Sequence, residues 1–236
     1  MNLEELWKKA YEKESRLVVA LDMIGYSDQE LEERINLLMG TLKEFVCGIK
    51  IGLPMLLTKG PEYIKELVAN YRDEYYFIAD LKLADVPHIN EYVLREIKEI
   101  GFNAAITHLF QGGLRDLVKL ADEIGIDIIG VVMMSHEGSI LFVKVFDELL
   151  EYAKLLKVDG VVVGATKPSY IVKARQVLSS DVAIFSPGVI YQGAEPGQAI
   201  RAGADFEIVG RAIVNSKDPL GVARKIVLAE REALYG

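Results

Sequence analysis

The stretch FIADLKLADVP, residues 77–87, ends an apolar run with charged residues and places a proline directly after them. Such a run, followed by a short turn and a proline that can begin a helix, is typical of a buried parallel strand joined to a helix. Side chains alternate between the two faces of a strand, so Asp80 and Lys82 share one face. We therefore predict that both project side by side from the end of the strand, with Asp85 in the turn that follows.

The same strand-and-helix unit recurs along the chain. Seven further apolar runs alternate with amphipathic stretches, and strands alternating with helices of roughly ten to fifteen residues indicate βαβ units and a parallel sheet. Eight units in 236 residues favour an α/β fold of the (β/α)8 TIM-barrel type over the alternative, an open doubly wound sheet. The predicted strands are Leu17–Leu21, Val46–Ile51, Tyr76–Leu81, Ala104–Thr107, Ile126–Met133, Gly160–Val163, Val182–Phe185 and Phe206–Val209. The predicted helices include Pro87–Ile100, Leu114–Glu123, Ile140–Leu156, Pro168–Leu178 and Pro219–Tyr235.

Length and composition predict one domain, residues 1–236, with residues 1–15 forming an N-terminal helix outside the barrel. Apolar residues make up 51% of the chain, enough to fill one large core. The single cysteine, Cys47, excludes a disulfide and a thiolate metal site. The charged segment 1–16 is unlike a signal peptide, and no apolar run is long enough to cross a membrane. A net charge of −8 argues against nucleic acid and anionic membranes as partners, so we expect a cytoplasmic protein.

Polar residues stand at or just past the ends of most predicted strands, where α/β barrels build their active sites. Lys50 lies within the apolar stretch CGIKIG, residues 47–52, where a lysine needs a carboxylate partner. Strand two neighbours strand three, so we expect an alternating array in the order Lys50, Asp80, Lys82 and Asp85. Buried ion pairs add little net stability, which favours a functional role; an ion pair that braces the third strand is the alternative. The polar residues at the strand ends are Asp22, Lys50, Asp80, Lys82, His108, Ser135, Ser186 and Arg211.

Two glycine-containing loops follow the seventh and eighth predicted strands, where many barrels bind phosphate. The first is SPGVIYQG, residues 186–193, and the second contains Gly210 and Arg211. Glycines such as Gly193 let backbone N–H groups approach an anion, and the arginine supplies a fork-shaped cation. Gln192 can donate from its side-chain amide, in a loop able to close over a ligand. These loops predict a site for a phosphate ester.

Together these segments resemble the orotidine 5′-monophosphate decarboxylase family, from about residue 16 to the C-terminal helix. The spacing Asp80-x-Lys82-x-x-Asp85 matches the catalytic motif of that family. Magnesium-dependent sugar-phosphate relatives, such as 3-keto-L-gulonate 6-phosphate decarboxylase and hexulose-phosphate synthase, also carry this motif. Lys50 stands where those relatives have an acidic metal ligand, and the loop at residues 186–193 is similar to the closing loop of the nucleotide enzyme. The resemblance is therefore closer to the nucleotide enzyme.

The resemblance implies decarboxylation of orotidine 5′-monophosphate to uridine 5′-monophosphate and CO2, the last step of de novo pyrimidine biosynthesis, with no metal and no cofactor. Lys82 would stabilise the carbanion at C6 electrostatically and then protonate it, held in place by Asp80 and Asp85. Asp85 would come from the partner subunit, which implies a homodimer with composite sites. The remaining expected contacts are Asp22 and Lys50 with the ribose, Ser135 with the pyrimidine amide edge, Val86 and Pro187 with the base, and Gln192, Gly193, Gly210 and Arg211 with the phosphate.

One position departs from the family pattern. Ile89 stands four residues after Asp85, where the family usually has a threonine whose hydroxyl helps to hold the ribose. Either a neighbour such as Asn90 makes this contact, or the ribose contact is weaker. Two other functions stay open: the magnesium-dependent sugar-phosphate enzyme, and a phosphate-ligand sensor that kept the barrel without the chemistry. We expect backbone groups to satisfy His108, and the three histidines lack the spacing of a zinc site.

Overall fold

The computed structural model describes residues 3–236, and within them eight parallel strands close into one barrel in chain order. The strands are β1 Leu17–Ala20, β2 Gly48–Gly52, β3 Tyr76–Leu83, β4 Ala104–His108, β5 Asp127–Met133, β6 Gly160–Val163, β7 Ala183–Pro187 and β8 Phe206–Val209. Each strand pairs with the next one, and β8 pairs with β1, so the sheet has no free edge. This arrangement confirms the predicted single-domain (β/α)8 barrel.

Eleven helices lie in the part of the chain that the structure describes, and most of them connect consecutive strands around the barrel. None of these helices has the length and apolar character needed to cross a membrane. The helices are α1 Glu4–Glu12, α2 Asp28–Thr41, α3 Leu53–Tyr71, α4 Pro87–Ile100, α5 Arg115–Ile124, α6 Ile140–Lys144, α7 Phe146–Leu156, α8 Pro168–Val177, α9 Gln198–Arg201, α10 Arg211–Val214 and α11 Pro219–Tyr235.

Helix α1 lies across the amino ends of the strands, opposite the predicted site. Nζ of Lys9 donates to the carbonyl of Asp73 at 2.8 Å, just before β3. The ring of Trp7 packs against that of Phe206 at a centroid distance of 4.9 Å. The first two residues of the predicted helix 1–15 lie outside the described residues. The helix covers the base of the barrel core and leaves the carboxyl end open.

Apolar side chains fill the barrel, and close packing of its lower layer requires a glycine. β2, β6 and β8 are buried along their whole length, as expected for parallel strands covered on both sides. The rings of Phe185 and Phe206 stack with centroids 5.1 Å apart. A Cβ at Gly160 would lie 2.8 Å from the ring of Phe185 and 3.0 Å from the carbonyl oxygen of Ala183. The aromatic layer therefore depends on the missing side chain of this glycine.

The predicted helix Ile140–Leu156 is wrong as one element, because the structure divides it into α6 and α7. Val145 stands between them with φ −117° and ψ 23°, outside the helical region. The apolar periodicity continues through this residue, so periodicity alone does not reveal the break. Its branched side chain restricts χ1 and favours extended backbone, which weakens the helix at this point.

Candidate active site

Two connected clefts open at the carboxyl ends of the barrel strands. The inner cleft is lined by residues of strands β2 to β8 and of the segments that follow β5 and β7. The outer cleft is lined by residues that follow β1, β7 and β8. Lys50, Pro187, Gln192 and Ile208 line both clefts and join them into one site. Nine predicted site residues line these clefts: Asp22, Lys50, Asp80, Lys82, Ser135, Pro187, Gln192, Gly210 and Arg211.

Four charged side chains form a continuous array between the two clefts. Nζ of Lys50 lies 2.6 Å from a carboxylate oxygen of Asp22 and 2.8 Å from one of Asp80. Nζ of Lys82 lies 2.7 Å from the other oxygen of Asp80. The second oxygen of Asp22 accepts the backbone N–H of Gly52 at 2.8 Å. Both lysines therefore have carboxylate partners, and Asp80 bridges them.

Burial and ion pairing act in opposite directions on the pKa values in this array. Burial lowers the pKa of Lys50, but the carboxylates of Asp80 and Asp22 outweigh burial and raise this pKa above its ordinary value. Burial raises the pKa of Asp80, but the two lysines outweigh burial and lower it. The side chains of Lys50 and Asp80 are only 9% and 10% exposed, so the pair stays charged in a largely dry environment. Burying both charges costs desolvation free energy, which apolar side chains of similar volume at these positions would avoid.

Strand β3 is irregular where it carries the charged motif. Leu83 pairs with Thr107 of β4, but the three residues 80–82 lie opposite the single residue of β4 that precedes this pair. Lys82 has φ 48°, a conformation that costs a non-glycine residue about 1–3 kcal/mol. Asp80 and Lys82 meet as predicted, but the predicted reason, regular alternation along the strand, is wrong. A bulge with a strained residue brings both side chains to the inner cleft.

Asp85 does not join the array within one chain. Its side chain is exposed, and its carboxylate accepts the backbone N–H of Val86 at 2.7 Å. Neither residue is among those that line the two clefts. Asp85 lies beyond the end of β3 in the turn before α4, so its predicted place in the array, as a residue supplied by a partner subunit, stays a prediction. Within one chain the order is Asp22, Lys50, Asp80 and Lys82.

Asn90 holds the turn that presents Asp85. Its side-chain amide donates to the carbonyl of Asp85 at 2.6 Å and accepts the N–H of the same residue at 3.1 Å. The residue is 2% exposed. The amide oxygen and nitrogen both bond the backbone of Asp85, so Asn90 holds this turn, and a contact of Asn90 with the ribose stays a prediction. Ile89 itself is 39% exposed beside it.

The outer cleft ends at Arg211, the first residue of α10. Its guanidinium carbon lies 3.4 Å from the ring centre of Tyr191, a cation–π contact. Gly188 and Gly193 have φ 108° and 99°, conformations that other residues rarely adopt, so the loop between them depends on both glycines. Gly193 is not among the residues that line the two clefts. Tyr191 was not singled out from the sequence, although an aromatic residue between loop glycines is a usable signal.

Ser135 faces the inner cleft from the segment after β5. Thr166 Oγ1 donates to the carbonyl of Ser135 at 2.6 Å and anchors this segment to the one after β6. A Cβ at Gly164 would lie 2.5 Å from Cα of Ser135, so this approach requires glycine. The apolar wall of the inner cleft comprises residues that no sequence pattern marked as functional: Ile106, Val131, Met134, Val162 and Ile208. This wall can hold a flat ring out of contact with water, beside the charged array.

Two polar residues at the strand ends behave differently from expectation. Ser186 is fully buried, and its hydroxyl has no hydrogen-bond partner within the described residues. His108 packs against the rings of Phe110 and Phe142, and its Nδ1 is buried without a partner within residues 3–236. The expectation that backbone groups satisfy His108 is therefore wrong for this nitrogen. Burial lowers the pKa of His108, and the ammonium of Lys82 lowers it further, which keeps the imidazole neutral.

The amino-acid sequence is similar to those of proteins named orotidine 5′-phosphate decarboxylase. It is 37% identical over 218 residues to the orotidine 5′-phosphate decarboxylase of Methanococcoides burtonii, covering 91% of this chain and 97% of that protein. It is 39% identical over 217 residues to the protein of the same name from Aeropyrum pernix, covering 89% of this chain and 86% of that protein.

Solved structures show the same relation. The orotidine 5′-monophosphate decarboxylase of Sulfolobus solfataricus superposes with a TM-score of 0.81 at 32% identity, covering 93% of this chain and 99% of that one. The enzyme of Methanocaldococcus jannaschii, solved in complex with the inhibitor BMP, gives a TM-score of 0.78 at 31% identity, covering 91% of this chain and 98% of that one. The sequence model of one family matches residues 15–226, nearly all of the barrel. With the barrel, the charged array and these relatives together, the chain belongs to the orotidine 5′-phosphate decarboxylase / HUMPS family.

Proposed function

We propose that this protein decarboxylates orotidine 5′-monophosphate to uridine 5′-monophosphate and CO2, the last step of de novo pyrimidine biosynthesis. One observation carries the proposal. The paired ammonium of Lys82 stands in a largely apolar inner cleft, and this cleft continues into an outer one that ends at Arg211. A nucleotide fits this polarity, with the base inside, the ribose beside Asp22 and Lys50, and the phosphate at the arginine.

The reaction leaves an electron pair on C6 of the base, and Lys82 is the group that meets it. The bond between C6 and the carboxylate carbon breaks, CO2 departs, and a proton moves from Nζ of Lys82 to C6. A charge pair about 4 Å apart interacts by roughly 4 kcal/mol at an effective dielectric near 20. Enzymes lower barriers by about 8–23 kcal/mol, so this one interaction is insufficient. Asp80, held by two lysines, orients the ammonium before the substrate arrives.

Binding energy at the phosphate supplies the remaining reduction of the reaction barrier. Arg211 and Gln192 line the outer cleft, and the loop that carries the glutamine is anchored by conformations that only its glycines adopt readily. Closure of this loop over a bound phosphate excludes water from the inner cleft and strengthens the charges within it. Pro187 lies between the clefts and covers the base in the bound state. Ser135 reads the amide edge of the pyrimidine from the inner wall.

The active form is a homodimer in which Asp85 reaches the site of the partner subunit. Within one chain its carboxylate is exposed and lies outside the array. The apolar side chains around it are also exposed: Val86 at 51%, Ile89 at 39% and Tyr92 at 63%. A second copy placed on this face would bury them and bring Asp85 to Lys82, whose side chain is 37% exposed.

Neither a metal nor a cofactor takes part in the proposed reaction. Asp22 and Asp80, the carboxylates nearest the reacting position, are already neutralised by Lys50 and Lys82 at 2.6–2.8 Å. A divalent cation at this place would have to displace a lysine. The array therefore supplies the positive charge that a metal would otherwise supply.

Turnover by chelator-treated protein tests the proposal. Loss of substrate absorbance should be fast without added metal, and Lys82→Ala should abolish it while leaving affinity for uridine 5′-monophosphate within a few-fold. Protein that is inactive on the nucleotide, but active on a sugar phosphate with magnesium, would refute the proposed substrate. Sedimentation supplies the check on the dimer, since a fully active monomer contradicts a shared Asp85.

A further inference from the structure

The bulge that presents Lys82 ends at a carbonyl held by two side chains of the neighbouring segment. Thr107 Oγ1 lies 2.9 Å from the carbonyl oxygen of Leu83 and 3.0 Å from that of His108, and its single proton bonds one of them at a time. Nε2 of Gln111 lies 3.2 Å from the Leu83 oxygen. The second N–H of the Gln111 amide points to Thr107 Oγ1 at 3.3 Å. Leu83 directly follows Lys82, so these donors hold the residue at which the bulge ends.

The backbone just before Leu83 is irregular and depends on neighbouring contacts to keep its conformation. Residues 80–82 form the irregular part of β3, and pairing with β4 resumes only at the Leu83–Thr107 pair. Lys82 is in the left-handed region at φ 48°, which a lysine adopts only when its surroundings impose it. A β3 that relaxed to regular alternation would turn the Lys82 side chain and lengthen its 2.7 Å contact with Asp80.

The orientation of Gln111 supports a directed contact. Its Oε1 is buried and has no hydrogen-bond partner within the described residues, whereas its nitrogen faces two oxygens. Rotation of the amide by half a turn would place Oε1 against the Leu83 carbonyl, a repulsive contact. The side chain therefore leaves one acceptor unsatisfied in order to donate at the bulge. Thr107 is fully buried, so water does not replace its hydroxyl.

We propose that Thr107 and Gln111 are positioning residues for the decarboxylation, acting through the Leu83 carbonyl on the backbone of Lys82. Neither residue lines the clefts, so their effect on the substrate is indirect. The proposal rests on the proposed function for its kinetic consequence, but the geometry of Lys82 can be measured without turnover. The charged groups that bear on the Lys82 ammonium within the chain are Asp80 and Lys50, with the neutral His108 beside it.

Steady-state kinetics of Thr107→Val, which keeps the shape and removes the hydroxyl, test the role in catalysis. The loss of one buried hydrogen bond should lower kcat roughly five- to tenfold, with KM changed less than twofold. Thr107→Ser keeps the hydroxyl and should restore most of kcat, and Gln111→Met should resemble the valine variant. Thr58→Val is the matched control, since it removes a hydroxyl that donates to the Pro54 carbonyl at 2.8 Å in α3. The control should keep the wild-type kcat.

NMR of the Lys82 Nζ group at one fixed pH, assigned through its loss in Lys82→Arg, supplies a readout that needs no activity. The nitrogen chemical shift reports the contact between Lys82 and Asp80, so it should move in Thr107→Val and return in Thr107→Ser. A valine variant with unchanged kcat and an unchanged chemical shift, even if less stable to heat, would overturn the proposal. If the wild type does not turn over the nucleotide, the proposed function fails, and the chemical shifts alone decide whether Thr107 positions Lys82.

Discussion

Replacement of Lys50 by methionine tests how much the buried ion pairs of the charged array contribute to the stability of the fold. Methionine keeps much of the side-chain volume and removes the cation that lies 2.6 Å from Asp22 and 2.8 Å from Asp80. Breaking a buried pair by removing one partner costs about 3–5 kcal/mol, because the remaining charge stays buried. In a domain of this size, each kcal/mol lowers Tm by about 2–4 °C, so Tm should fall by roughly 6–20 °C at pH 7.

The pH dependence of this loss follows from the sign of the shift at Asp80. In the wild type, its two lysines hold the pKa below the ordinary value, so the pair adds stability that is lost only as pH falls through this lowered pKa. Without Lys50, only Lys82 offsets the burial of Asp80, so the pKa of Asp80 rises relative to the wild type. Protonation then relieves the less fully paired carboxylate of the variant at a higher pH than in the wild type. The difference in Tm between wild type and variant should therefore shrink between pH 7 and pH 5.

A matched control separates burial from pairing. Lys173 also forms an ion pair, with Asp147 at 2.6 Å, but the two side chains are 49% and 63% exposed. Exposed pairs are worth about 0–1 kcal/mol, so Lys173→Met should lower Tm by at most a few degrees. Thermal denaturation followed by circular dichroism at several pH values measures both variants. Equal losses in the two variants, or a Lys50→Met loss that grows as pH falls, would refute the reasoning.

Three further predictions concern other parts of the molecule. Arg211→Ala should raise KM for the nucleotide about 10- to 100-fold by removing charged hydrogen bonds, and unchanged steady-state KM would contradict the phosphate assignment. Burial raises the pKa of Glu230 well above its ordinary value, with Glu207 adding to the shift, so ionisation of Glu230 destabilises the fold as pH rises. Glu230→Gln should therefore raise Tm more at pH 8 than at pH 5, and equal changes would count against it. Gly160→Ala should cost about 1–3 kcal/mol in urea denaturation, because its Cβ meets Phe185 at 2.8 Å; wild-type stability would show that the aromatic layer yields.

The sequence determined the barrel and which charged residues stand at the carboxyl ends of its strands. Alternation of short apolar runs with amphipathic stretches is a local property, because a strand buried on both faces and a helix buried on one each have a recognisable period. Lys50, Asp80 and Lys82 were found because charges within apolar strands are costly and must be matched. Parallel strands end on one side of a barrel, so these residues were also expected to meet.

The tertiary structure alone decided how the charged residues meet and what holds them. Four features join residues 20 to 28 positions apart in the sequence: the bulge at residues 80–82, the Asp22 contact with Lys50, the stacking of Tyr191 on Arg211 and the donors on the Leu83 carbonyl. Periodicity reports which face a residue shares with its sequence neighbours, not the register between strands or the path of a loop. Those depend on packing across the whole barrel. The strained φ of Lys82 is the clearest case, since only the surrounding contacts make that conformation the stable one.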